Sequence, residues 1–273
     1  MTYLGIDIGG TKVAAGLVDE NGVITKEIYM ELENTDNQAI DEAIEKIISE
    51  LSGFSAIGIG VPGTLDRSTK TWVKASNLKV KQWSPKSWEE RLKVPVELEN
   101  DANCAALGES WVSNRKDLIL LTLGTGVGMG IVIRGRIFTG VTGLAGEVGH
   151  ITIYPNGREC SCGKRGCLEA YAGGWGIAKN YGDSPKLALQ DRESPIYKEV
   201  VESLSIGMHN LAVIFGLKEI FLSGTIALKN PDFISQIEEK IKENFGYSLR
   251  LNLAKAGNKA GLIGAAALCR KEA

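Results

Sequence analysis

One pattern of strands and glycine-containing turns occurs twice in this 273-residue chain. The first copy, residues 6–22, is a predicted strand, the turn Gly9-Gly10-Thr11, a second strand and a further turn at Gly22. The second copy, residues 118–135, has the same order, with Gly124-Thr125-Gly126 as its first turn. Two copies of one unit predict a duplicated domain with a cleft between the halves. Glycines let the backbone approach a ligand closely, so we expect the two turns to grip one phosphate chain from both sides.

The remaining elements alternate between helices and strands, which predicts an α/β fold. The clearest helix covers residues 35–51, where an apolar stripe faces charged residues and Thr35 with Gln38 fits a capping box. Residues 64–93 are polar but carry three tryptophans. Solvent-facing loops rarely hold so many, so we expect this region to lie over a cleft or an interface.

Two aspartates stand at the ends of predicted strands. Asp7 interrupts an apolar strand beside Gly-Gly-Thr. Alone it would be equally well explained as a turn cap, but the repeat favours a ligand role. Asp101 follows the predicted strand 95–99 and precedes the predicted helix 104–111. It is either the N-cap of that helix or a ligand-binding residue, because ligands bind at the carboxyl ends of strands in open α/β sheets.

A cluster of metal-ligand residue types lies in residues 148–171. His150, Cys160, Cys162 and Cys167 follow the pattern H-x9-C-x-C-x4-C. One imidazole and three thiolates are a usual set for a closed tetrahedral site, which predicts structural zinc. Because four ligands are already present, the flanking acidic residues, Glu147 and Glu169, are expected to accept hydrogen bonds from another molecule.

Composition excludes several classes of protein. The formal net charge of −2 provides no basic surplus for a polyanion, so nucleic acid is not an expected partner. The N-terminus shows no secretory signal, and the apolar runs are too short for a bilayer. Cys104 and Cys269 have no evident pairing, which favours a reducing cytoplasm over a disulfide framework.

Several motifs together resemble one known family. These motifs are LGIDIGGTK, GVPG, ENDANCAALGE, LTLGTGVGMG, GEVGH and CSCGKRGCLE. In this order, and over nearly the whole chain, they resemble the ROK family of sugar kinases and sugar-sensing repressors, which belongs to the actin-like, hexokinase-type superfamily. The resemblance implies two actin-like (ribonuclease H-like) α/β lobes with a cleft between them. The expected lobes are residues 1–115, joined by the C-terminal helix 260–273, and residues 116–259, which carry the zinc motif.

The resemblance also implies roles for individual residues. Asp7 would help to hold Mg²⁺ through water, and Asp101 would be the catalytic base. The residues near the phosphates of ATP would be Gly9, Gly10, Thr11, Lys12, Thr125 and Gly126. Gly224 and the final helix would lie near the adenosine, although this chain has Ser223-Gly224 where kinases of the family usually have Gly-Gly. The residues lining the sugar pocket would be Asn77, Asn100, Asp101, Glu147, His150 and Glu169.

The resulting expectation is a cytoplasmic, homodimeric, ATP-dependent hexose kinase that acts in carbohydrate metabolism. Glucose is the expected acceptor, at its 6-hydroxyl, because glucokinases are common in the family. A kinase for N-acetylmannosamine or N-acetylglucosamine is the alternative within the class. A sugar-responsive transcription regulator and a kinase that uses polyphosphate as donor are the further alternatives. Family repressors carry a helix-turn-helix ahead of the kinase-like part. The regulator is disfavoured because the predicted phosphate-binding strand begins here at residue 3 and the chain is acidic.

Overall fold

A computed structural model describes residues 1–75, 78–182 and 185–270. The chain forms two compact units. Unit 1 contains Met1–Asp117, Gly130–Phe138 and the C-terminal segment that begins at Lys259. Unit 2 contains Leu118–Met129 and Thr139–Asn258.

Thirteen strands and ten α-helices are found in the described residues. The strands are β1 (Thr2–Ile8), β2 (Lys12–Asp19), β3 (Ile24–Glu31), β4 (Ala56–Val61), β5 (Thr64–Asp66), β6 (Thr71–Lys74), β7 (Lys81–Trp83), β8 (Val96–Asn100), β9 (Leu118–Leu123), β10 (Val127–Ile133), β11 (Arg136–Ile137), β12 (Glu219–Ser223) and β13 (Arg250–Leu253). The helices are α1 (Asn37–Glu50), α2 (Lys86–Leu92), α3 (Asp101–Ser113), α4 (Glu169–Ala172), α5 (Gly174–Tyr181), α6 (Pro185–Ala188), α7 (Pro195–Phe215), α8 (Thr225–Lys229), α9 (Asp232–Phe245) and α10 (Ala260–Ala267). None of these described helices has the length and apolar character needed to cross a membrane.

The two main sheets share one topology. The first sheet has the order β3-β2-β1-β4-β8, and the second has the order β11-β10-β9-β12-β13. In each sheet the first strand of the repeat is central, its hairpin partners lie on one side, and later strands add on the other. In the first sheet β1 pairs in antiparallel fashion with β2 and in parallel with β4. The duplication predicted from the two glycine–threonine turns is therefore confirmed at the level of strand order.

The core of unit 1 lies between its sheet and helix α1. Ile40, Ile44 and Ile47 of that helix are almost completely buried, as the apolar stripe predicted. The predicted capping box is wrong, however. The N-cap is Asp36, whose carboxylate accepts a hydrogen bond from the Ala39 amide at 3.0 Å. Asp and Thr are both good caps, and the pattern alone could not choose between neighbouring positions.

The three tryptophans of residues 64–93 belong to the core of unit 1. Trp72 is 0% exposed, Trp83 4% and Trp88 6%. Their indole N–H groups have partners in the same unit: Trp83 and Trp88 donate to one oxygen of Asp41, at 3.1 and 2.8 Å. Packing and satisfied indole donors explain the burial of these rings. A position of residues 64–93 over a cleft or an interface stays a prediction.

Helix α10 packs closely against the sheet of unit 1. Its small residues face glycines on the sheet and on α3. A Cβ atom at Gly58 of β4 would overlap the Ala265 carbonyl, and one at Gly264 would overlap the Cys104 carbonyl. The run GLIGAAALC forms this helix, and its small side chains allow the close approach.

Candidate active site

Asp7 lies near the carboxyl end of β1, immediately before the first glycine–threonine turn. The turn is closed by the Gly9 amide, which donates to the Lys12 carbonyl at 2.8 Å. Burial, together with the smaller effect of the nearby Asp101 charge, raises the pKa of Asp7 to about 7. A nearby cation favours the ionised form of a buried carboxyl group, so the Asp7 side chain is suited to a site that holds a cation.

Asp101 is the first residue of α3, and Asn100 is the N-cap. The Asn100 side-chain oxygen accepts hydrogen bonds from the amides of Ala102 and Asn103, at 3.0 and 3.3 Å. The alternative that Asp101 itself caps the helix is thus wrong. The Asp101 carboxylate accepts a hydrogen bond from the Ala102 amide at 2.8 Å. Asp101 directly follows β8, and the ligand-binding alternative stays a prediction.

A buried glutamate that the sequence reasoning missed holds this strand end. Glu99 is 7% exposed and accepts hydrogen bonds from the Asn100 amide at 2.7 Å and the Asn103 side chain at 3.0 Å. The Arg67 guanidinium donates two further hydrogen bonds to it. The sequence offered one signal for this role, a charged residue inside a predicted strand. A carboxylate buried in a strand needs a hydrogen-bonding or charged partner, so such a residue indicates a polar contact.

The four predicted metal ligands converge in unit 2. The ligand atoms of His150, Cys160, Cys162 and Cys167 all lie within 4.8 Å of one another. The sulfurs of Cys162 and Cys167 are 3.7 Å apart, and the Cys160 sulfur is 3.6 Å from Nδ1 of His150.

These separations fit a tetrahedral metal ion. Zinc–sulfur bonds of about 2.3 Å at tetrahedral angles place two sulfurs about 3.8 Å apart. Burial, followed by the neighbouring Cys160 and Cys162 thiols, raises the pKa of Cys167 to about 12. Three thiolates at this distance repel one another unless a cation lies between them. The four side chains can hold one zinc ion, as the sequence predicted.

His150 presents its two ring nitrogens to different neighbours. Nδ1 faces Cys160, while Nε2 lies 3.8 Å from the Glu147 carboxylate. The Glu147 side chain is 59% exposed. A ring held by a metal at Nδ1 carries its proton on Nε2, and this N–H group and the Glu147 carboxylate can then both meet a ligand hydroxyl.

The second glycine–threonine turn, at Thr125 and Gly126, follows β9 in unit 2. A Cβ atom at Gly126 would overlap the Glu169 carboxylate, so a larger residue there would have to displace that side chain. Glu169, predicted to contact sugar, accepts hydrogen bonds from the Val127 amide at 3.0 Å and from Trp175 Nε1 at 2.8 Å. Trp175 was missed, since no pattern in the sequence links it to Glu169.

The remaining predicted positions are Gly224 and Asn77. Gly224 follows β12 with φ of +87°, and a Cβ there would overlap the Leu123 carbonyl, so only glycine fits. The hydroxyl of the preceding Ser223 donates to the Gly257 carbonyl at 3.1 Å. This bond accounts for the serine that replaces the usual glycine. Asn77 lies outside the described residues.

Fold and site define an α/β protein with a duplicated five-stranded sheet, two glycine–threonine turns and a cluster of one histidine and three cysteines. The model of the ROK family matches residues 3–272. The chain belongs to the ROK family.

Relatives of several kinds match almost the whole chain. A glucokinase of Halalkalibacterium halodurans is 32% identical, over 99% of this chain and 95% of its own length. An N-acetyl-D-glucosamine kinase of Histophilus somni is 30% identical over 97% and 98%. A xylose repressor of Caldicellulosiruptor bescii is 28% identical over 98% of this chain and 77% of its own length.

Two solved structures share the fold and confirm the predicted fold class. The ROK hexokinase of Thermus thermophilus has a TM-score of 0.86 at 29% identity, with 98% of this chain and 97% of the other covered. A ROK family glucokinase from Streptomyces griseus, in complex with glucose and AMPPNP, has a TM-score of 0.81 at 29% identity, with 98% and 99% covered.

Proposed function

We propose that this protein is an ATP-dependent hexose kinase that transfers the γ-phosphate of ATP to the 6-hydroxyl of glucose, with Asp101 as the base. Glucokinase relatives at about 30% identity and ROK kinase structures support the enzyme class, a sugar kinase. The observation that carries the mechanism is the arrangement in unit 1, where Asp101 follows β8 and its charge raises the pKa of Asp7 on β1.

Asp101 removes the proton from the attacking sugar hydroxyl. As that oxygen bonds to the γ-phosphorus, the bond from phosphorus to the β–γ bridging oxygen breaks and ADP leaves. This reaction depends mainly on positioning and on charge stabilisation, with one carboxylate accepting the hydroxyl proton. The Asn100 cap and the Glu99 hydrogen bonds fix the start of α3, and hence the position of Asp101.

Asp7 suits the proposed role at magnesium. Mg²⁺ prefers carboxylate oxygens and keeps several waters, so a single carboxylate can hold it through water. A bound cation would neutralise charge on the phosphates and keep Asp7 ionised against the effect of burial. The backbone of the two glycine–threonine turns is proposed to contact the phosphates, with Gly9, Gly10, Thr11 and Lys12 in one turn and Thr125 and Gly126 in the other. Gly224 is proposed to lie by the nucleoside.

The sugar is proposed to bind through hydrogen-bond acceptors and one fixed donor. Asn77, Asn100, Asp101, Glu147, His150 and Glu169 are the proposed contacts. Ionised carboxylates accept strongly from hydroxyls, and Nε2 of His150 would donate. The metal in the cysteine cluster is proposed to be structural zinc, with all four positions taken by protein atoms.

Alternative functions follow from the other relatives. The N-acetyl-D-glucosamine kinase relative supports an acetamido sugar as the second candidate acceptor. The xylose repressor relative keeps a sugar-sensing regulator as a candidate from another class. Polyphosphate as donor, a homodimeric state and a cytoplasmic location stay predictions.

A coupled kinase assay over a sugar panel tests the proposal. With ATP and Mg²⁺, glucose should give the highest kcat/KM among glucose, mannose, fructose, xylose, N-acetylglucosamine and N-acetylmannosamine. Polyphosphate replaces ATP in a parallel series. A higher kcat/KM with an acetamido sugar would replace glucose by the second candidate. Absence of turnover with every sugar, while sugars still bind, would favour the regulator.

A further inference from the structure

The carboxylate of Glu169 joins three separate segments of unit 2. Its Oε1 atom accepts hydrogen bonds from Trp175 Nε1 at 2.8 Å and from the Ser161 hydroxyl at 3.2 Å. Its Oε2 atom accepts the hydrogen bond from the Val127 amide at 3.0 Å. Ser161 lies between two of the predicted metal ligands, Trp175 lies on α5, and Val127 follows the glycine–threonine turn. We call residues 150–167, which carry the four predicted ligands, the metal-binding loop. The Glu169 side chain therefore connects this loop, helix α5 and the second glycine–threonine turn.

The start of helix α5 holds the same turn from its other side. The amide of Gly174 donates to the Gly124 carbonyl at 2.9 Å, and the amide of Trp175 donates to the Thr125 carbonyl at 2.9 Å. Two turn carbonyls are thus engaged by α5, while the Val127 amide at the end of the turn is engaged by Glu169. The turn has fixed partners on both sides, which restricts its backbone dihedrals.

The oxygens of Glu169 are largely occupied. A carboxylate offers about four acceptor positions, and three are used by the Trp175, Ser161 and Val127 donors. Bonds to an ionised acceptor are stronger than bonds between neutral groups, so these contacts orient the carboxylate firmly. The indole N–H can only donate, so Trp175 has no alternative use for this group.

We propose that Trp175 is a positioning residue for the donor phosphates: through Glu169 it braces the turn Gly124–Thr125–Gly126 and couples that turn to the metal-binding loop. The inference rests on the proposed function, in which this turn contacts the phosphates of ATP. Phosphoryl transfer depends on position, and a small displacement of a binding group costs a large part of the rate. Without the Trp175 bond, Glu169 keeps its charge and its bonds from Ser161 and Val127, so its proposed sugar contact should change less than the turn does.

The test compares Trp175→Phe with Trp88→Phe. Both changes delete an indole N–H that donates to a carboxylate at 2.8 Å and keep an aromatic ring. Trp88 donates to Asp41 in unit 1, so its variant controls for the loss of such a bond elsewhere. Amide hydrogen exchange at residues 124–127, the KM for ATP, the glucose dissociation constant and the zinc content are measured for each.

For Trp175→Phe we expect exchange at residues 124–127 to become about tenfold faster, as for loss of one charge-assisted hydrogen bond. The KM for ATP should rise about three- to tenfold on the same basis, with glucose affinity within twofold and zinc retained. Trp88→Phe should leave exchange at the turn and the KM for ATP unchanged. Unchanged exchange and unchanged KM in Trp175→Phe would overturn the proposal, and so would an effect confined to glucose.

A second variant covers the case in which Trp175→Phe does not fold. Glu169→Gln replaces one acceptor oxygen by a donor and should also accelerate exchange at the Val127 amide. The exchange measurement needs no catalysis, so the brace and the proposed function can fail separately. Fast exchange in the variants without kinase activity in the parent would keep the brace and reject the kinase. Kinase activity in the parent, with unaltered exchange in both variants, would support the kinase and reject the brace.

Discussion

At the scale of single residues, Asp7 makes the free protein sensitive to pH. Its pKa of about 7 in the native state stands against 3.8 for an ordinary aspartate. Between these values the native state holds a proton that the unfolded chain has lost, so the free energy of unfolding falls as the pH rises from about 4 to 7. Asp7→Asn lacks this titration. The variant should gain stability relative to wild type across that range, by up to about 4 kcal/mol, and then level off.

Urea unfolding at a series of pH values, without Mg²⁺ or nucleotide, measures this difference. Asp19→Asn is the control of opposite sign. The Val23 amide, followed by the Asn21 amide, donates to Asp19 and holds its pKa below the ordinary value. Wild type should therefore gain stability over Asp19→Asn as the pH rises through the acid range. Parallel pH profiles for wild type and Asp7→Asn would contradict the expected role of burial.

The second prediction for a single residue concerns Asp101. Asp101→Asn keeps the size and most hydrogen bonds of the side chain but cannot accept the hydroxyl proton. We expect kcat to fall by about 10²–10⁴, while the glucose dissociation constant changes little. Initial rates and isothermal titration measure the two quantities. A variant that keeps more than about a tenth of wild-type turnover would not fit a general base.

At the scale of elements, the metal-binding loop is expected to be ordered by its ion. Cys162→Ser removes one thiolate, so the protein should lose close to one zinc per chain, melt at a lower temperature and bind glucose more weakly. The loop begins at His150 and ends beside Glu169 at the start of α4. Without the metal these two proposed sugar contacts must be ordered on each binding event, and that cost weakens binding. Cys269→Ser is the matched control, because burial raises the pKa of that thiol to about 12 and it lies in unit 1. Metal analysis, thermal melting and glucose titration measure the three effects. Equal zinc content, melting temperature and glucose affinity in Cys162→Ser and Cys269→Ser would contradict the prediction.

Helix α10 provides a test of packing. A Cβ atom at Gly58 would overlap the Ala265 carbonyl of the helix, so Gly58→Ala must displace backbone. We expect a loss of about 1–3 kcal/mol, as is typical of overpacked sites. Gly124→Ala is the control, since no atom lies within 4 Å of its added Cβ and its φ is not positive. Chemical denaturation should separate the two variants clearly, and equal losses would argue against the close packing.

The elements that could be predicted are those with a local signal. The strand–turn–strand repeat predicted the duplicated sheet because hydrophobic runs and turn glycines lie next to each other in sequence. The spacing of His150 and the cysteines predicted their convergence for the same reason. The cap of α1 was misplaced by one residue, since Thr35 and Asp36 are both suitable caps.

The contacts that could not be predicted join residues far apart in the chain. Glu169 meets the Val127 amide 42 positions away, and Arg67 meets Glu99 32 positions away. Neither pair belongs to a periodic pattern, so only the folded chain shows it. The partner of two tryptophans could not be predicted either, because a polar stretch gave no sign that Asp41 of α1 would accept from both indoles.

At the scale of the whole molecule, each sugar should stabilise the fold according to its affinity: the tighter a sugar binds, the more it should raise the melting temperature. A ligand that binds only the native state adds RT ln(1 + [L]/Kd) to the free energy of unfolding, which is about 2.7 kcal/mol at 100 times Kd. For a chain of this size that corresponds to a rise in melting temperature of roughly 5 °C or more. At equal concentration the sugar with the lowest Kd gives the largest rise, and glucose is the expected one.

Differential scanning calorimetry with the same sugar panel measures this order. Asp101→Asn should keep the rise produced by glucose, because the removed function belongs to the chemical step and not to binding. Cys162→Ser should show a smaller rise, because the metal-binding loop with the proposed sugar contact His150 is no longer ordered in advance. If glucose raised the melting temperature of neither wild type nor Asp101→Asn, while another sugar raised both, this protein would bind that sugar in preference to glucose and the proposed glucose specificity would be wrong.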